Sequence, residues 1–426
     1  MRENMITPVF VLLLSLSLIA ISSCKEKKSA RELKNIDIAG ALGKGRIIPL
    51  SDIAKDIRYV ALETNDTALV GNINSVFYEN GLIYIVHSST AISLFDDKGK
   101  FIRTIDRSGR GPEEYPSLQV LDMLEIDKNN GNLIVQSMDS KLNEYTKTGD
   151  FVRKIQPPDI ESSPDTYNKA LKIKDNQYIF TLRPGDDSTA NCAVVYDSLY
   201  NILKMVPASS FKNDDFTRVN FSNSMFTFMK IETDYRVSRF EDKVRIISNY
   251  PGFILSLDKN LALDTAFTIN YGPYKVTMSN KEEMFSPTAK IISWIGPLKE
   301  SKDYIYLWLN LRALSHEPEE QIYNDPSGKE IRRIFGITYG LFNKNTSEVT
   351  LMNQPVKGKK GFMEDFENGP TFWPKTISSQ EYLVAAYTAV EFMDFAENNN
   401  CSEKIKELAA GLNENDNPVV ALVKLK

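Results

Sequence analysis

The sequence is poor in the residues that most often carry chemistry. Its 426 residues include two histidines, His87 and His316, and three cysteines, Cys24, Cys192 and Cys401. Two imidazoles leave little material for a His-based metal site or a Ser-His-Asp triad, and three thiols cannot build a disulfide framework. An excess of positive charge is also missing, since 51 Lys+Arg against 56 Asp+Glu give a formal net charge of −5. A nucleic-acid binder would show a basic stripe, so that class is excluded. Hydrophobic residues at 42% and charged residues at 25% exclude global disorder. Gly-x-Ser-x-Gly, His-Glu-x-x-His and Walker motifs are absent. Ser209–Lys212 has Ser-x-x-Lys spacing and Lys147-Thr148-Gly149 spells a second penicillin-binding triplet, but the order is wrong and the triplet falls in a turn.

No apolar run reaches the length of a membrane span. Val9–Ile21 is the longest such run, and as a helix at about 1.5 Å per residue it covers roughly 20 Å of a bilayer core about 30 Å thick. That suits the h-region of a signal peptide. The run ends in Ile21-Ser22-Ser23-Cys24, which resembles a bacterial lipobox, where the Cys is lipidated and becomes the first residue after cleavage. Several acyl chains hold a membrane far better than one myristoyl group does. The expectation is a signal peptide at 1–23, a lipid anchor on Cys24, a solvated tether at 24–45 and one folded domain at 46–426. Lys25-Glu26 resembles an export signal to the outer surface, so the expected location is the cell envelope, at the outer membrane, on its periplasmic or surface face. Cys192 and Cys401 read as two unpaired buried thiols.

What the chain has in quantity is a repeat. Leu94–Ile105 recurs as Glu144–Ile155, with Gly99 and Gly149, and Phe101 and Phe151, at equivalent positions. Each copy is a strand, a Gly-containing turn and a second alternating strand, the pattern of a β-hairpin. Degenerate copies follow at 195–206, 257–269 and 341–352, each with two more strand-like segments upstream. Four antiparallel strands repeating roughly every 40–60 residues read as β-propeller blades. The blades are expected at 71–106, 118–156, 167–206, 234–270 and 289–352, followed by Gly361–Trp373 with Tyr382–Tyr387 and a last strand at Pro418–Val423. The last blade lacks one strand, and Ile57–Leu62 is a strand without a blade. Joining them removes an exposed edge. The fold expected is therefore all-β, a six-bladed β-propeller closed by joining its N- and C-terminal strands. A small helical insertion is expected near the C-terminus, at about 389–413, where Ile405, Leu408 and Leu412 have helical spacing. A solenoid of the same hairpins would need caps at both ends.

Gly109–Pro116, the following strand, Asp127–Val135 and the 144–155 hairpin together resemble an NHL repeat, although Glu113 stands where that pattern has Gly. More broadly, the chain resembles the six-bladed β-propeller lipoproteins of Gram-negative gut bacteria. The matching segments are the lipobox, Tyr59–Thr64, Phe95–Tyr115, Asn368–Pro374 and Asn415–Val420. The resemblance implies fold and envelope location and carries no activity. Asp66-Thr67-Ala68, Asp197-Ser198-Leu199 and Asp264-Thr265-Ala266 resemble an O-glycosylation sequence of such bacteria.

The candidate ligand-binding segment is Asp106–Tyr115, which in a propeller joins the outermost strand of one blade to the innermost of the next. Arg107 and Arg110 supply guanidinium forks suited to carboxylates or sulfates. Glu113 adds an acceptor and Tyr115 a stacking surface. The alternative is a plain turn in which Tyr115 packs between blades and the arginines pair with the local glutamates. No catalytic residue and no cofactor is assigned, although a propeller channel can gather scattered Asp, Asn or Glu around Ca²⁺. His87 ends an apolar strand and reads as structural, and His316 reads as exposed. The reading is an envelope-anchored protein that binds a small molecule, a glycan or an envelope protein without catalysis. A propeller hydrolase or lyase and a structural scaffold are the alternatives.

Overall fold

The repeated hairpins pair as their alternation demands. In the first copy Phe95 lies opposite Phe101, and in the second Tyr145 lies opposite Phe151. Gly99 and Gly149 close the two turns with φ of +83° and +89°, a conformation open to glycine because it has no Cβ. The computed structural model describes residues 33–426 apart from 89, 117–123, 138–140, 157–166, 175, 183–190, 209–217, 224–225, 233–234, 249–251, 278–279, 281–285, 287 and 325–327.

Each hairpin is the outer half of a four-stranded antiparallel sheet. The first sheet runs Ile73–Glu79, Leu82–His87, Ala91–Asp96, Phe101–Asp106. The second runs Leu124–Ile126, Leu133–Gln136, Leu142–Tyr145, Phe151–Ile155, and the third Tyr167–Lys174, Gln177–Leu182, Asn191–Asp197, Ile202–Pro207. The fourth is Tyr235–Phe240, Lys243–Ser248, Phe253–Leu257, Leu263–Asn270. In the fifth, a first strand split into Ser293–Trp294 and Lys299–Glu300 precedes Tyr304–Asn310, Ile337–Asn343 and Glu348–Leu351. The sixth orders Thr376–Ile377, Tyr382–Tyr387, Val419–Leu425 and, from the other end of the chain, Ala54–Ala61. The molecule is mostly β and propeller-like.

Middle strands such as Leu82–His87 are apolar almost throughout because both of their faces are covered, whereas the last strand Phe101–Asp106 is largely exposed. Six apolar clusters do the covering. Tyr84 and Leu94 of the first sheet meet Leu133 and Tyr145 of the second, and Ile134 and Leu142 meet Phe180 and Val194 of the third. Ile179 and Val195 meet Ile246 and Leu255, and Ile254 and Phe267 meet Trp294 and Leu307. Tyr306 and Leu341 meet Leu383 and Ala421, and finally Val384 and Leu422 of the sixth sheet meet Val76 and Ile83 of the first.

Two segments depart from expectation. The tether expected through residue 45 ends earlier, because Lys34–Asp37 is a strand pairing in parallel with Leu263–Asn270, with Ile36 and Ile38 fully buried. The chain then bridges Met352 through Arg46 and Met363 through Pro49 before entering the sixth sheet. Gly361–Trp373, expected as a strand of the last sheet, makes only isolated bridges, Met363 to Pro49 and Phe362 to Phe372, and the first strand there is Thr376–Ile377. Pro370 and Pro374 lack the N–H a ladder needs.

Two further hairpins, Arg218–Asn223 with Phe226–Glu232 and Glu319–Asn324 with Glu330–Phe335, stand outside the sheets. Helices at Ala389–Asn398 and Glu403–Ala410 are capped by Thr388 and Ser402. Phe392, Ile405 and Ala409 bury their apolar sides against Val419. Cys192 and Cys401 are free and buried.

Candidate functional site: the connection side of the sheets

In a four-stranded meander, the connections after strands one and three leave from one end of the sheet, and those after strands two and four leave from the other. Among the described residues the first end carries only short turns: 80–81, 97–100, 127–132, 146–150, 198–201, 241–242, 258–262, 301–303, 344–347 and 378–381. The second end carries everything long: 62–72, 107–123, the helices within 388–418, and both extra hairpins within 208–234 and 311–336. We call these the turn side and the connection side. Long, variable connections on a rigid frame are where binding groups usually sit.

The segment 106–115 lies on the connection side, tied down by its own backbone. Gly109 N donates to Tyr115 O at 3.0 Å, Tyr115 N to Arg107 O at 3.0 Å, and Gly111 N to the Glu114 carboxylate at 2.8 Å. Tyr115 is fully buried, donates to Thr90 O at 2.6 Å and meets the Tyr145 ring edge-on at 6.0 Å. Burial pushes its hydroxyl up to about 12. The stacking surface expected at Tyr115 is therefore absent, because the ring is spent on packing. The expected pairing of arginines with local glutamates is not seen either. Arg107 Nε donates to Gly149 O of the next sheet at 3.1 Å, and Arg110 makes no ion pair among the described residues. Arg110 and Glu113 are exposed and point no bond at each other. They are the free charged groups of this loop.

His87 is buried beside the loop. Its Nε2 lies 2.9 Å from Ser93 Oγ, which lies 2.8 Å from Thr104 Oγ1, and its Nδ1 lies 3.2 Å from Ser88 Oγ. Burial lowers its pKa, against a smaller upward pull from Asp106. Ser93 is fully buried, so the chain of hydroxyls orders the sheet end and offers no nucleophile to solvent.

A second feature of the connection side had no signal in the sequence. A small pocket of about 80 Å³ opens at the fifth sheet, lined by apolar Leu311, Leu314 and Ile337 and by polar Ser315, Glu317 and Asn353. Gln354 N donates to the Glu317 carboxylate at 3.2 Å, Ser315 Oγ lies 3.1 Å from Thr338 Oγ1, and Asn353 Nδ2 donates to Gly45 O at 3.0 Å. His316 is exposed on its rim, 3.8 Å from Glu317. The lining comes from chain segments hundreds of residues apart, which no local motif announces.

The turn side, in contrast, is stitched by buried ions. Glu300 accepts Arg245 at 2.7 and 3.0 Å and Lys344 at 3.0 Å, joining the fourth and fifth sheets. Burial lowers the Lys344 pKa despite the Glu300 charge. Lys172 donates to Asp127 at 2.6 Å, and Arg239 Nε to Glu125 at 2.6 Å, linking the first strands of sheets two, three and four. Burial opposes ionisation of Asp127, but the hydrogen bonds from Lys172 and Asn129 and the Lys172 and Arg239 charges together outweigh it, so its pKa is lowered. Such pairs add little over apolar packing of the same volume, but removing one partner leaves an uncompensated buried charge. Among the described residues, no three His, Cys, Asp or Glu side chains stand together as a metal site.

The sequence matches a domain of unknown function, DUF4934, over residues 33–424. The chain belongs to the DUF4934 family. No curated protein matches it. The DUF4934 chain is similar in fold to an exported protein of Bacteroides fragilis NCTC 9343, with 17% identity, a TM-score of 0.63, and coverage of 92% of this chain and 99% of that one. A member of the DUF4221 family from Bacteroides vulgatus ATCC 8482 matches at 14% identity and a TM-score of 0.47, over 88% and 97% of the two chains. A virginiamycin B lyase from Staphylococcus aureus follows at 9% identity and 0.34, over 86% and 99%. At 17% identity the likeness to the Bacteroides fragilis protein speaks to fold alone. No described helix of this DUF4934 protein is long and apolar enough to cross a membrane.

Proposed function

We propose that this DUF4934 protein is a lipid-anchored envelope protein. Its six sheets form the blades of a closed β-propeller, and its connection side binds a small molecule, a glycan or an envelope protein without catalysis. Closure is supported by the pairing of Ala54–Ala61 with Val419–Leu425 and by the apolar cluster between the sixth and first sheets. Export is supported by the apolar run at Val9–Ile21 and the lipobox-like Ile21–Cys24, with Cys24 as the lipidated residue. The exported Bacteroides protein of similar fold agrees with it.

One observation carries the binding reading: both extra hairpins, both C-terminal helices and the polar pocket fall at the same ends of the sheets. A purely structural ring has no need of such a bias. The test is photo-crosslinking in the native envelope. A crosslinking residue at Arg110 or Val390, on the connection side, should give specific adducts with a soluble ligand or protein. The same residue at Lys98 or Asn345, on the turn side, should give none. Protein adducts confined to the turn side would overturn the assignment.

A further inference from the structure

The first four sheets close their outer hairpins with one and the same turn, and the third departs from it. The closing bonds are Gly99 N to Asp96 O at 3.0 Å, Gly149 N to Thr146 O at 2.9 Å, Tyr200 N to Asp197 O at 3.0 Å and Leu261 N to Asp258 O at 2.9 Å. The donor is left-handed each time, with φ of +83°, +89°, +67° and +63°. Glycine accepts that conformation freely, whereas a bulky side chain is strained there. Leu261 has a reason to be present, since it packs against the cluster of Val237, Val244 and Leu257. Tyr200 belongs to none of the apolar clusters among the described residues. It is 47% exposed, and around it Leu199 is 77%, Ile202 52% and Leu203 39% exposed. The residue before the left-handed position is Lys98, Thr148 or Asn260 in the sister turns and Leu199 here. Ile202 and Leu203 have apolar counterparts in the first two sheets, Phe101 and Ile102, and Phe151 and Val152, so the departure lies at the tip, where Leu199 replaces a polar residue and Tyr200 is strained where two sister turns have glycine. Strain retained without a packing gain marks a functional contact.

What covers the patch follows from where the chain enters. Lys34 pairs beside Phe267 on a strand that starts from the turn side, and its ammonium donates to Lys344 O within the turn 344–347. The folded body thus begins on the side that carries Leu199–Leu203. Ten residues upstream of Lys34 stands Cys24, a reach of about 35 Å when fully extended.

We propose that Leu199, Tyr200, Ile202 and Leu203 form a membrane-contact turn. They enter the interfacial layer of the bilayer that holds the Cys24 lipid and set the turn side toward it, with the connection side facing away. Leucine supplies apolar area, and tyrosine suits a layer that is apolar at one end and wet at the other. The proposal rests on the lipid-anchor reading and gives that anchor an orientation.

The test uses the full chain purified from membranes and reconstituted in vesicles of phosphatidylethanolamine and phosphatidylglycerol. Leu199→Cys and, separately, Val390→Cys carry an environment-sensitive fluorophore, while Cys192 and Cys401 are buried and stay unlabelled. Brominated lipid should quench the label at 199 and leave the label at 390 unchanged. Mass spectrometry of the N-terminal peptide reads the anchor independently. A lipid on Cys24 with no quenching at 199 overturns the contact and leaves the anchor standing. An unlipidated Cys24 overturns both. A sugar on Ser198 overturns the contact as well, because it would hold the turn in water. Tyr200→Gly in the Leu199→Cys chain separates contact from folding: quenching should fall while the melting temperature holds or rises. A marked fall in melting would place Tyr200 in the service of the fold and refute the proposal.

Discussion

Tyr59 and Ala421, from opposite ends of the chain, lie directly across from each other on antiparallel strands of one sheet. The Tyr59 ring packs 5.3 Å from that of Phe392 on the first C-terminal helix. Deleting Val419–Lys426 removes the middle of this sheet, orphans Ala54–Ala61 and exposes two strand edges. Exposed edges recruit other chains. The truncated protein should aggregate or lose its cooperative melt, as light scattering and calorimetry would show, and a soluble, sharply melting product would disprove the role given to these strands.

Glu300 holds Arg245 and Lys344 at once, with all three nearly buried. Glu300→Ala leaves two cations in an apolar interface, a change that costs about 3–5 kcal/mol where a buried pair is broken. Denaturant titration should show a loss of that order. A loss below about 1 kcal/mol would mean that solvent reaches the pair, as at exposed ion pairs.

His87 makes stability depend on pH in a definite direction. Its folded pKa is lowered from 6.5 by burial, so below that value the unfolded chain takes up a proton that the folded chain refuses. The folded state therefore loses stability as pH falls from 6.5 toward the folded pKa. Relative to its stability at pH 7.5, a His87→Asn variant should lose less on acidification to pH 5.5 than the wild type does. Equal losses would show that His87 is charged in the folded protein.

Arg107 and Arg110 separate function from folding. Arg107 gives one part-buried hydrogen bond to Gly149 O, so its loss should cost about 1 kcal/mol. The double change Arg107→Ala with Arg110→Ala should leave the melt nearly unchanged while lowering adduct yield from a crosslinker at Glu113. Unchanged yield would remove both arginines from the binding surface.

Much of the architecture was legible because the sheet repeat writes itself locally. Gly99 and Gly149 had to recur where the backbone turns left-handed, and the orphan strands at the two ends had no other partners. The N-terminal Lys34–Asp37 strand was missed because four residues are too few for a period, and its partner, Leu263–Asn270, is distant in sequence. At the candidate loop the sequence leaves Tyr115 open between a stacking surface and a residue packed between sheets, and the structure shows the packed one. Its burial depends on Thr90 and Tyr145, which sequence spacing does not bring to it. The pocket at the fifth sheet and the Arg245–Glu300–Lys344 group are products of assembly between sheets, and nothing local marks them.

Closure requires the terminal strands to share one sheet, and a cross-strand disulfide tests that directly. Asp56 and Lys424 are register partners, and opposed Cβ atoms in such a pair stand roughly 4.5–5.5 Å apart, near enough to link. A chain carrying Asp56→Cys and Lys424→Cys should oxidise to a single species whose digest joins the two terminal peptides, with a raised melting temperature. Two free thiols that alkylate separately in the folded, oxidised protein would contradict the closure and the account built on it.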